Sequence, residues 1–472
     1  MTGPHHPAAA HPGYDLVVSG SRIYTGTGVV SGHLAVRDGR VAAIYGPDES
    51  PAAVRTIAAG DRPVIPGLVD THCHFRDPGF THKEDLTSGT RAAALGGVTT
   101  VFDMPNTEPP LTTAERLVAH REYAETRAVV DFGHHASAVD PEQIAALAEA
   151  GAAAFKLWMS YDLERTYPHS PATALTDSAA LYTAFELVAG TGLPLLVHPT
   201  DHELYNLLSR RAKQRWGTDF RSYARALRDG DSVAINTAVA ALLEFQRSAG
   251  TRLHVLHVSS VEAIRMIRAA KAAGRTVTAE ANPFAMFITN SWERIERGGP
   301  YVLGQWVPEH DSEAMWEAVV DGTIDVIGSD HAPHTRAEKE PGWTDLYAAP
   351  SGSPMIADYL RLLLTAVADG RLTLARVVEL CCTAPARLVG LAGRKGVLTV
   401  GADADMVILD LDHEEVIRNE TTAYRCGWTP ADGILTRGRP VTTILRGTVV
   451  ADAGQVLVEP GFGRFVRPER VS

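Results

Sequence analysis

The chain has 472 residues, of which 45 % are hydrophobic and 21 % charged, and its net charge is −12. This composition is ordinary for a globular protein, and the length allows a large core to be buried. The negative charge argues against a nucleic-acid partner or an anionic membrane surface. No apolar run reaches membrane-spanning length, and the four cysteines form neither a disulfide nor a metal-clamp pattern, so a cytoplasmic location is expected.

The pattern along the chain divides it into an arm and three regions. Residues 1–12 predict a short disordered arm, and residues 13–65 alternate apolar and polar residues around Gly and Asp turns, which predicts β-strands. Residues 66–392 alternate apolar strands with amphipathic helices, whereas residues 393–472 return to short strands. Because each flank alone is small for an independent core, we expect the two flanks to form one small β-sandwich domain.

The middle region contains eight candidate strands with helical segments between them. Regular βα alternation predicts a parallel sheet, and eight such units predict a closed α/β structure, the (β/α)8 TIM barrel. In chain order the candidate strands are VIPGLVDTHCHF, VTTVFDM, AVVDFGHHAS, AAFKLWM, PLLVHP, RLHVLHVSS, TVTAEAN and IDVIGSD.

Two histidines at the end of the first barrel strand are the strongest sign of chemistry. Side chains alternate along a strand, so His72 and His74 point the same way and Cys73 points away. Two imidazoles side by side at the carboxyl end of a strand can bind a metal ion. Two packed structural histidines are the alternative when this motif is considered alone.

Lys156 lies within the apolar fourth strand, where an ammonium ion is costly to desolvate. One interpretation is a lysine that extends its charge to solvent or forms an ion pair. The other is a lysine that has reacted with CO2 to give a carbamate, an anionic ligand able to bridge two cations. Beside candidate metal ligands, the carbamate accounts better for this position.

Further candidate ligands follow strands five, six and eight. His198 ends the fifth strand, and the sixth offers His254 and His257, which point to opposite faces. His257 lies nearer the carboxyl end, so we assign it as the ligand and His254 as structural. Asp330 ends the eighth strand, where a helix N-cap is the alternative role. Barrel enzymes place their chemistry at this face, so we expect the candidates from these strands to form one site.

The sequence resembles the amidohydrolase superfamily over nearly its whole length, and within it the cyclic amidases: dihydroorotases, allantoinases and hydantoinases (dihydropyrimidinases). The resemblance rests on the motifs PGLVDTHCHFRDPG, KEDLTSGTRAAALGGVTTVFDMPNT, FKLWMSY, LLVHP, LHVSS and SDHAPH. It implies two divalent metal ions, with zinc expected, and an N6-carboxylated Lys156 as the bridging ligand. The metal ligands implied are His72, His74, Lys156, His198, His257 and Asp330.

The resemblance also implies catalytic and substrate-binding residues. Asp330 would accept a proton from water and give it to the leaving ring nitrogen, and Tyr161 would stabilise the developing oxyanion. Arg76, Asn106 and His334 match dihydroorotase residues that bind the substrate carboxylate. We therefore expect a small cyclic ureide or amide as substrate, with dihydroorotate as the best single candidate.

Two segments depart from the family pattern and keep other substrates open. The family usually has Pro-His or Pro-Gln where this chain has Asn282-Pro283-Phe284, and the segment VLGQWVPEHD replaces a polar loop. A more apolar pocket would suit a hydantoinase, and an allantoinase is a further alternative. The aromatic candidates for that pocket are Trp158, Phe284, Phe287 and Trp306, and for any one of them core packing is the favoured alternative.

A non-catalytic scaffold relative is the remote alternative to an enzyme, and it is disfavoured because every ligand position is filled. For the active enzyme we expect a homo-oligomer, either a dimer or a tetramer.

Overall fold

The computed structural model describes residues 13–161, 170–226, 228–302 and 306–468. The predicted arm at residues 1–12 lies outside the described residues, as do three positions of the VLGQWVPEHD segment. Among the described helices, none combines the length and apolar character that a membrane span needs.

The N-terminal flank forms five strands that contribute to a mixed β-sheet. These are β1 (Tyr14–Thr25), β2 (Gly28–Arg37), β3 (Arg40–Tyr45), β4 (Ala53–Gly60) and β5 (Val64–Pro66). Antiparallel pairing joins β1 to β2 and β2 to β3, whereas β4 and β5 both run parallel to β1.

The parallel strands of the middle region form a closed ring in the part of the chain that the structure describes. Neighbours pair in chain order, β8 continues into β9, and a parallel bridge between Cys73 and His331 closes the ring. The strands are β6 (Leu68–Cys73), β7 (Val98–Asp103), β8 (Asp131–His134), β9 (Ala136–Ser137), β10 (Phe155–Trp158), β11 (Pro194–His198), β12 (Arg252–Val255), β13 (Val277–Ala281) and β14 (Val326–Ile327).

The C-terminal flank completes the mixed sheet that the N-terminal flank begins. Its strands are β15 (Met406–Val416), β16 (Leu435–Leu445), β17 (Thr448–Asp452) and β18 (Gln455–Val456). β15 pairs with both β16 and β5, so it joins the two chain ends in one sheet. A separate hydrophobic cluster lies against this sheet, with Val18 and Leu34 from one flank and Met406 and Ile444 from the other.

Helices surround the barrel, and several begin where a side chain caps the first turn. Asp85 accepts a hydrogen bond from the Ser88 backbone before α1, and Ser260 accepts one from Ala263 before α8. The helices are α1 (Leu86–Leu95), α2 (Ala114–Glu125), α3 (Ile144–Ala150), α4 (Ser178–Ala189), α5 (His202–Trp216), α6 (Phe220–Ala226), α7 (Asp229–Ala249), α8 (Val261–Ala272), α9 (Trp292–Gly298), α10 (Glu309–Asp321), α11 (Arg336–Lys339), α12 (Tyr359–Ala368), α13 (Leu374–Val378) and α14 (Ala384–Leu388).

The predicted fold class, a (β/α)8 barrel with a small β domain built from both chain ends, is confirmed. The eight candidate strands all contain barrel strands, because strands buried on both faces appear as nearly continuous apolar runs. The predicted limits between the domains, at residues 66 and 393, stay predictions.

A buried ion cluster ties the β domain to the barrel at the end opposite the ligand-bearing strand ends. The side chain of Lys395 is fully buried, and its Nζ lies 2.6 Å from Asp131 Oδ2, 2.6 Å from Asp405 Oδ2 and 3.1 Å from Asp403 Oδ2. Asp131 begins β8, and Arg446 pairs with the same carboxylate. Three carboxylates therefore share one central ammonium group, while Arg446 and Arg394 pair with two of them from the side.

Replacing Lys395 by Met should lower the free energy of unfolding by about 3–5 kcal/mol, since it leaves buried carboxylates without their cation. Urea and thermal unfolding of the purified variant measure this change. Arg40→Met is the matched control, because the exposed Arg40 pairs with Asp403 at 3.8 Å and should contribute less than about 1 kcal/mol. Equal stability of the two variants would show that the buried cluster contributes little.

Candidate active site

His72 and His74 face Asp330 at the carboxyl end of the barrel. The two histidines follow one another on the same side of the β6 end, and their Nε2 atoms lie 3.2 Å and 3.5 Å from Asp330 Oδ1. Asp330 follows β14, the strand that closes the ring against β6. One carboxylate oxygen and two imidazole nitrogens thus converge on a space of the size that a metal ion needs.

A second pair of histidines lies beside the first. His198 ends β11 and His257 follows β12, and the His198 Nδ1 atom lies 2.9 Å from His257 Nε2. The His257 ring centroid is 5.9 Å from that of His72. His254, the histidine predicted to be structural, has its Nδ1 atom 2.8 Å from Thr278 Oγ1 on the neighbouring strand.

Lys156 lies in β10, fully buried beside these histidines. Its Nζ is 4.5 Å from the centroid of the Trp158 ring, and no carboxylate of the described residues pairs with it. Burial lowers the pKa of Lys156 to about 7, although the nearby Asp330 and Glu280 favour the charged form. A large fraction of this amine is therefore neutral near pH 7, which is the form that can react with CO2.

Two residues hold the first pair of histidines from behind. Glu280 in β13 lies 2.7 Å from His72 Nδ1, and Asn106 Oδ1 lies 2.7 Å from His74 Nδ1. Each contact orients an imidazole so that its Nε2 atom faces Asp330. Burial disfavours the Glu280 carboxylate, but the neighbouring His72 and His254 hold the pKa of Glu280 well below its usual range.

Sequence reasoning missed Glu280, although an acidic residue inside the apolar segment TVTAEAN was an available signal. A carboxylate within a buried strand is costly unless it has a partner. The partner is on a strand about 200 residues earlier in the chain, so only the closed barrel reveals the pair.

The backbone adopts uncommon conformations at three site residues. Arg76, His257 and Asp330 have φ angles of 65°, 35° and 49°, which place residues with side chains in the left-handed region. Such conformations cost free energy and persist where the surrounding structure enforces them. Here they turn the chain directly after β6, β12 and β14, where the candidate ligands lie.

The residues expected to bind a substrate carboxylate are only partly brought together. Arg76 and Asn106 line the cavity, whereas His334 does not line it in the part of the chain that the structure describes. His334 is fully buried behind Arg76, and burial lowers its pKa well below the usual range. The neutral ring lies 2.9 Å from the Ser351 carbonyl through Nε2 and 3.2 Å from Lys83 Nζ through Nδ1, so the protein itself orients it.

A cavity of about 190 Å3 opens above the candidate ligands, and its wall is partly apolar. Tyr161 lies at this wall with its ring 4.2 Å from that of His202. The apolar and aromatic residues of the wall are Trp158, Tyr161, Pro199, Tyr205, Ile235, Phe284, Ala285, Ala332 and Met355.

Two of the four aromatic residues proposed for the pocket lie elsewhere. Phe287 packs edge-on against Trp316 at 5.3 Å, and Trp306 packs against Trp292 at 4.7 Å. A π-helical turn at Phe284–Ile288 explains the first difference, because it places Phe284 at the cavity and Phe287 against α10.

The donor set fits a pair of divalent ions. Four imidazoles, one carboxylate and one buried lysine with a lowered pKa line a single cavity. Nitrogen and oxygen donors of this kind are typical ligands of Zn²⁺, and a carbamate would add the second anionic group. Without a cation, this many buried polar groups would be costly to bring together.

Residues 64–450 match the model of the Amidohydrolase family, so the chain belongs to this family. It is 35 % identical to an L-hydantoinase of Paenarthrobacter aurescens, over 96 % of this chain and 98 % of the relative. It is 34 % identical to an allantoinase of Rubrobacter xylanophilus, over 97 % and 98 % of the two chains. A dihydroorotase of Halobacterium salinarum is 35 % identical, over 89 % and 95 %.

A solved structure, the L-hydantoinase (dihydropyrimidinase) from Arthrobacter aurescens, matches with a TM-score of 0.91 and 34 % identity. The match covers 96 % of this chain and all of that chain. The protein is therefore a cyclic amidase of the Amidohydrolase family, a hydrolase that acts on the C–N bonds of cyclic amides.

Replacing Glu280 by Gln should weaken metal binding or turnover about 10- to 100-fold, because the charge that orients and polarises His72 is lost. Competition with a zinc chelator and steady-state kinetics measure the two effects. Glu262→Gln is the matched control, since it makes the same chemical change at an exposed carboxylate of α8 that pairs with Arg265. Unchanged zinc affinity and unchanged kcat in Glu280→Gln would contradict the positioning role.

Proposed function

We propose that the protein opens the ring of 5-substituted hydantoins or closely related cyclic ureides by hydrolysis. The observation that carries this proposal is the apolar part of the cavity wall, where aromatic and aliphatic side chains such as Trp158, Phe284 and Ile235 lie beside the candidate ligands. Such a wall suits an apolar ring substituent. The 35 % identity to an L-hydantoinase and the structural match to the same class of enzyme support this choice.

The proposed cofactor is a pair of divalent ions, with zinc as the expected metal. His72, His74 and Asp330 would hold one ion, His198 and His257 the other, and carboxylated Lys156 would contribute to both. When bound, the ions activate water and polarise the ring carbonyl.

Asp330 is the proposed carrier of the proton. Its side chain is 29 % exposed, so it reaches the cavity, and it lies among the imidazoles. Burial raises its pKa, but His72 and His74 outweigh that effect and hold the pKa of Asp330 well below its usual range. An ionised carboxylate can accept a proton from water and return it to the ring nitrogen as the C–N bond breaks.

Tyr161 is the proposed donor to the oxyanion that develops on the ring carbonyl. It lies at the cavity wall three residues after Trp158, the last residue of β10. A hydroxyl group aimed at this oxygen would stabilise the charge as the carbonyl becomes tetrahedral.

Dihydroorotate is the second candidate substrate, and Arg76 is the observation that favours it. The guanidinium group lines the cavity next to Asn106 and could bind a substrate carboxylate through two hydrogen bonds. Against this candidate, Asn106 Oδ1 is engaged by His74, and Arg76 Nε donates to the Pro333 carbonyl at 3.2 Å. The expected homo-oligomeric state and cytoplasmic location stay predictions.

Lys156→Ala should lose at least about 10²-fold in kcat, because the anionic ligand is lost. Added short carboxylic acids should restore part of the activity by occupying the vacated position. Asp330→Asn is the control, since the same acids should not restore its turnover. Electron density for the wild-type protein should show three additional atoms on Lys156 Nζ, and an unmodified lysine in an active, metal-loaded crystal would contradict the carbamate.

Phe284→Ala should lower kcat/KM for 5-benzylhydantoin, with a loss of about 1–3 kcal/mol in transition-state stabilisation, because apolar contact with the substituent is lost. The kcat/KM for unsubstituted hydantoin should change much less. Phe287→Ala is the matched control, as Phe287 packs against Trp316 outside the cavity. Steady-state kinetics of the zinc-loaded proteins on both hydantoins and on dihydroorotate provide the measurement.

The same substrate panel with Arg76→Met separates the two candidates. We expect wild-type enzyme to prefer hydantoins with apolar substituents, and the variant to retain most of that activity. Preference for dihydroorotate, with a loss of about 2–4 kcal/mol in kcat/KM in the variant, would contradict the hydantoinase proposal and establish the second candidate.

A further inference from the structure

A second cluster of candidate metal ligands lies outside the cavity, between the barrel wall and helix α2. Asp103 ends β7, His120 lies in α2 and His134 ends β8. All three residues are buried, with 3 % or less of their surface exposed, and one ligand atom from each lies within 4.8 Å of the others. The proposed catalytic ligands belong to other strands, so this cluster has no part in the site already described.

Each of the three side chains presents a polar atom that has no hydrogen-bond partner among the described residues. These atoms are Asp103 Oδ2, His120 Nδ1 and both ring nitrogens of His134. Asp103 and His120 do not hydrogen-bond each other through His120 Nε2, which lies 3.9 Å from Asp103 Oδ2. The atoms left for an ion are therefore Asp103 Oδ2, His120 Nδ1 and a ring nitrogen of His134.

The outward-facing atoms of the same residues are already bound, as is usual for residues that hold a metal. Asp103 Oδ1 accepts a hydrogen bond from the Phe75 backbone at 3.0 Å, and His120 Nε2 lies 2.7 Å from the Asp77 carbonyl oxygen. A ligating histidine typically donates its other N–H to a backbone carbonyl in this way, which fixes the ring and leaves the second nitrogen for the ion.

The charges around the cluster also favour a cation. Burial, together with the nearby Asp77, raises the pKa of Asp103 to about 8 although Arg76 and two backbone N–H groups lower it, so a closer cation would stabilise the carboxylate. Burial lowers the pKa of His120 and of His134, which keeps both rings in the neutral form that binds metals. Among the residues that the structure describes, buried Asp77 Oδ1 has no hydrogen-bond partner either, so a divalent ion would have a second carboxylate nearby.

From these observations we propose a third, structural metal site formed by Asp103, His120 and His134, which takes a divalent transition ion such as Zn²⁺. The ion links α2 to the ends of two neighbouring barrel strands. Asp103 is also followed closely by Asn106, whose side chain orients His74. The third site therefore stiffens the backbone that supports the catalytic pair without contacting the substrate.

Metal counting on the full-length protein tests this site. Wild-type protein loaded with zinc and dialysed should contain one more equivalent than His134→Phe, a variant chosen because His134 packs beside Phe132 and Phe465 and the new ring fits an aromatic surrounding. His310→Phe is the control at an exposed histidine, and it should keep the full count. Turnover of His134→Phe should stay within about twofold of the wild type.

Two further measurements keep the outcome independent of the variant's folding and of the catalytic site. Anomalous diffraction at the zinc edge of wild-type crystals should give a peak enclosed by Asp103, His120 and His134. The double variant His72→Asn, His74→Asn should still retain this ion. Equal metal counts in wild type and His134→Phe, or a peak absent from this position in zinc-loaded crystals, would overturn the proposal and leave a buried water or a protonated Asp103 as the bridging element.

Discussion

The bridge between the first and last barrel strands is the contact on which the site depends. The His74 backbone N–H donates to the His331 carbonyl at 2.8 Å, and Asp70 in β6 accepts from the Ser329 backbone at 3.2 Å. These bonds join segments more than 250 residues apart in sequence and bring His72 and His74 against Asp330. If β14 did not close against β6, one side of the donor set would be missing whatever the other strands contributed.

Most of the fold and the candidate ligands could be predicted because both depend on local patterns. Strands buried on both faces appear as apolar runs, and a histidine or aspartate at the end of such a run marks the face where barrel sites form. Contacts between distant segments could not be predicted in this way. Glu280 behind His72 and Asn106 behind His74 become visible only when the ring is closed. Phe287 takes the alternative role, core packing, because a π-helical turn directs its side chain toward Trp316 and away from the cavity.

Opposite ends of the barrel carry different electrostatic arrangements. At the carboxyl ends of the strands, buried imidazoles and Lys156 surround a small number of carboxylates, and burial lowers the pKa of His74, His257 and Lys156. At the other end, the Lys395 Nζ lies among three carboxylates. The first arrangement provides ligands for cations, whereas the second already contains its own cation and fastens two domains together. Because the two clusters lie at opposite ends, substitutions at the candidate ligands should leave the contact between the barrel and the β domain intact.

The shared sheet has a consequence for the order in which the chain can fold as it is synthesised. β5 must wait for β15, its antiparallel partner, which begins about 340 residues later. At 5–20 residues per second, the N-terminal half-sheet emerges roughly 20–70 s before the strand that covers its edge. During that interval β5 presents unpaired backbone groups along one side, where β15 of a more advanced chain on the same message could pair with it. Slow translation or closely spaced ribosomes would therefore favour a domain-swapped product, in which β5 of one chain pairs with β15 of another while each barrel closes on itself.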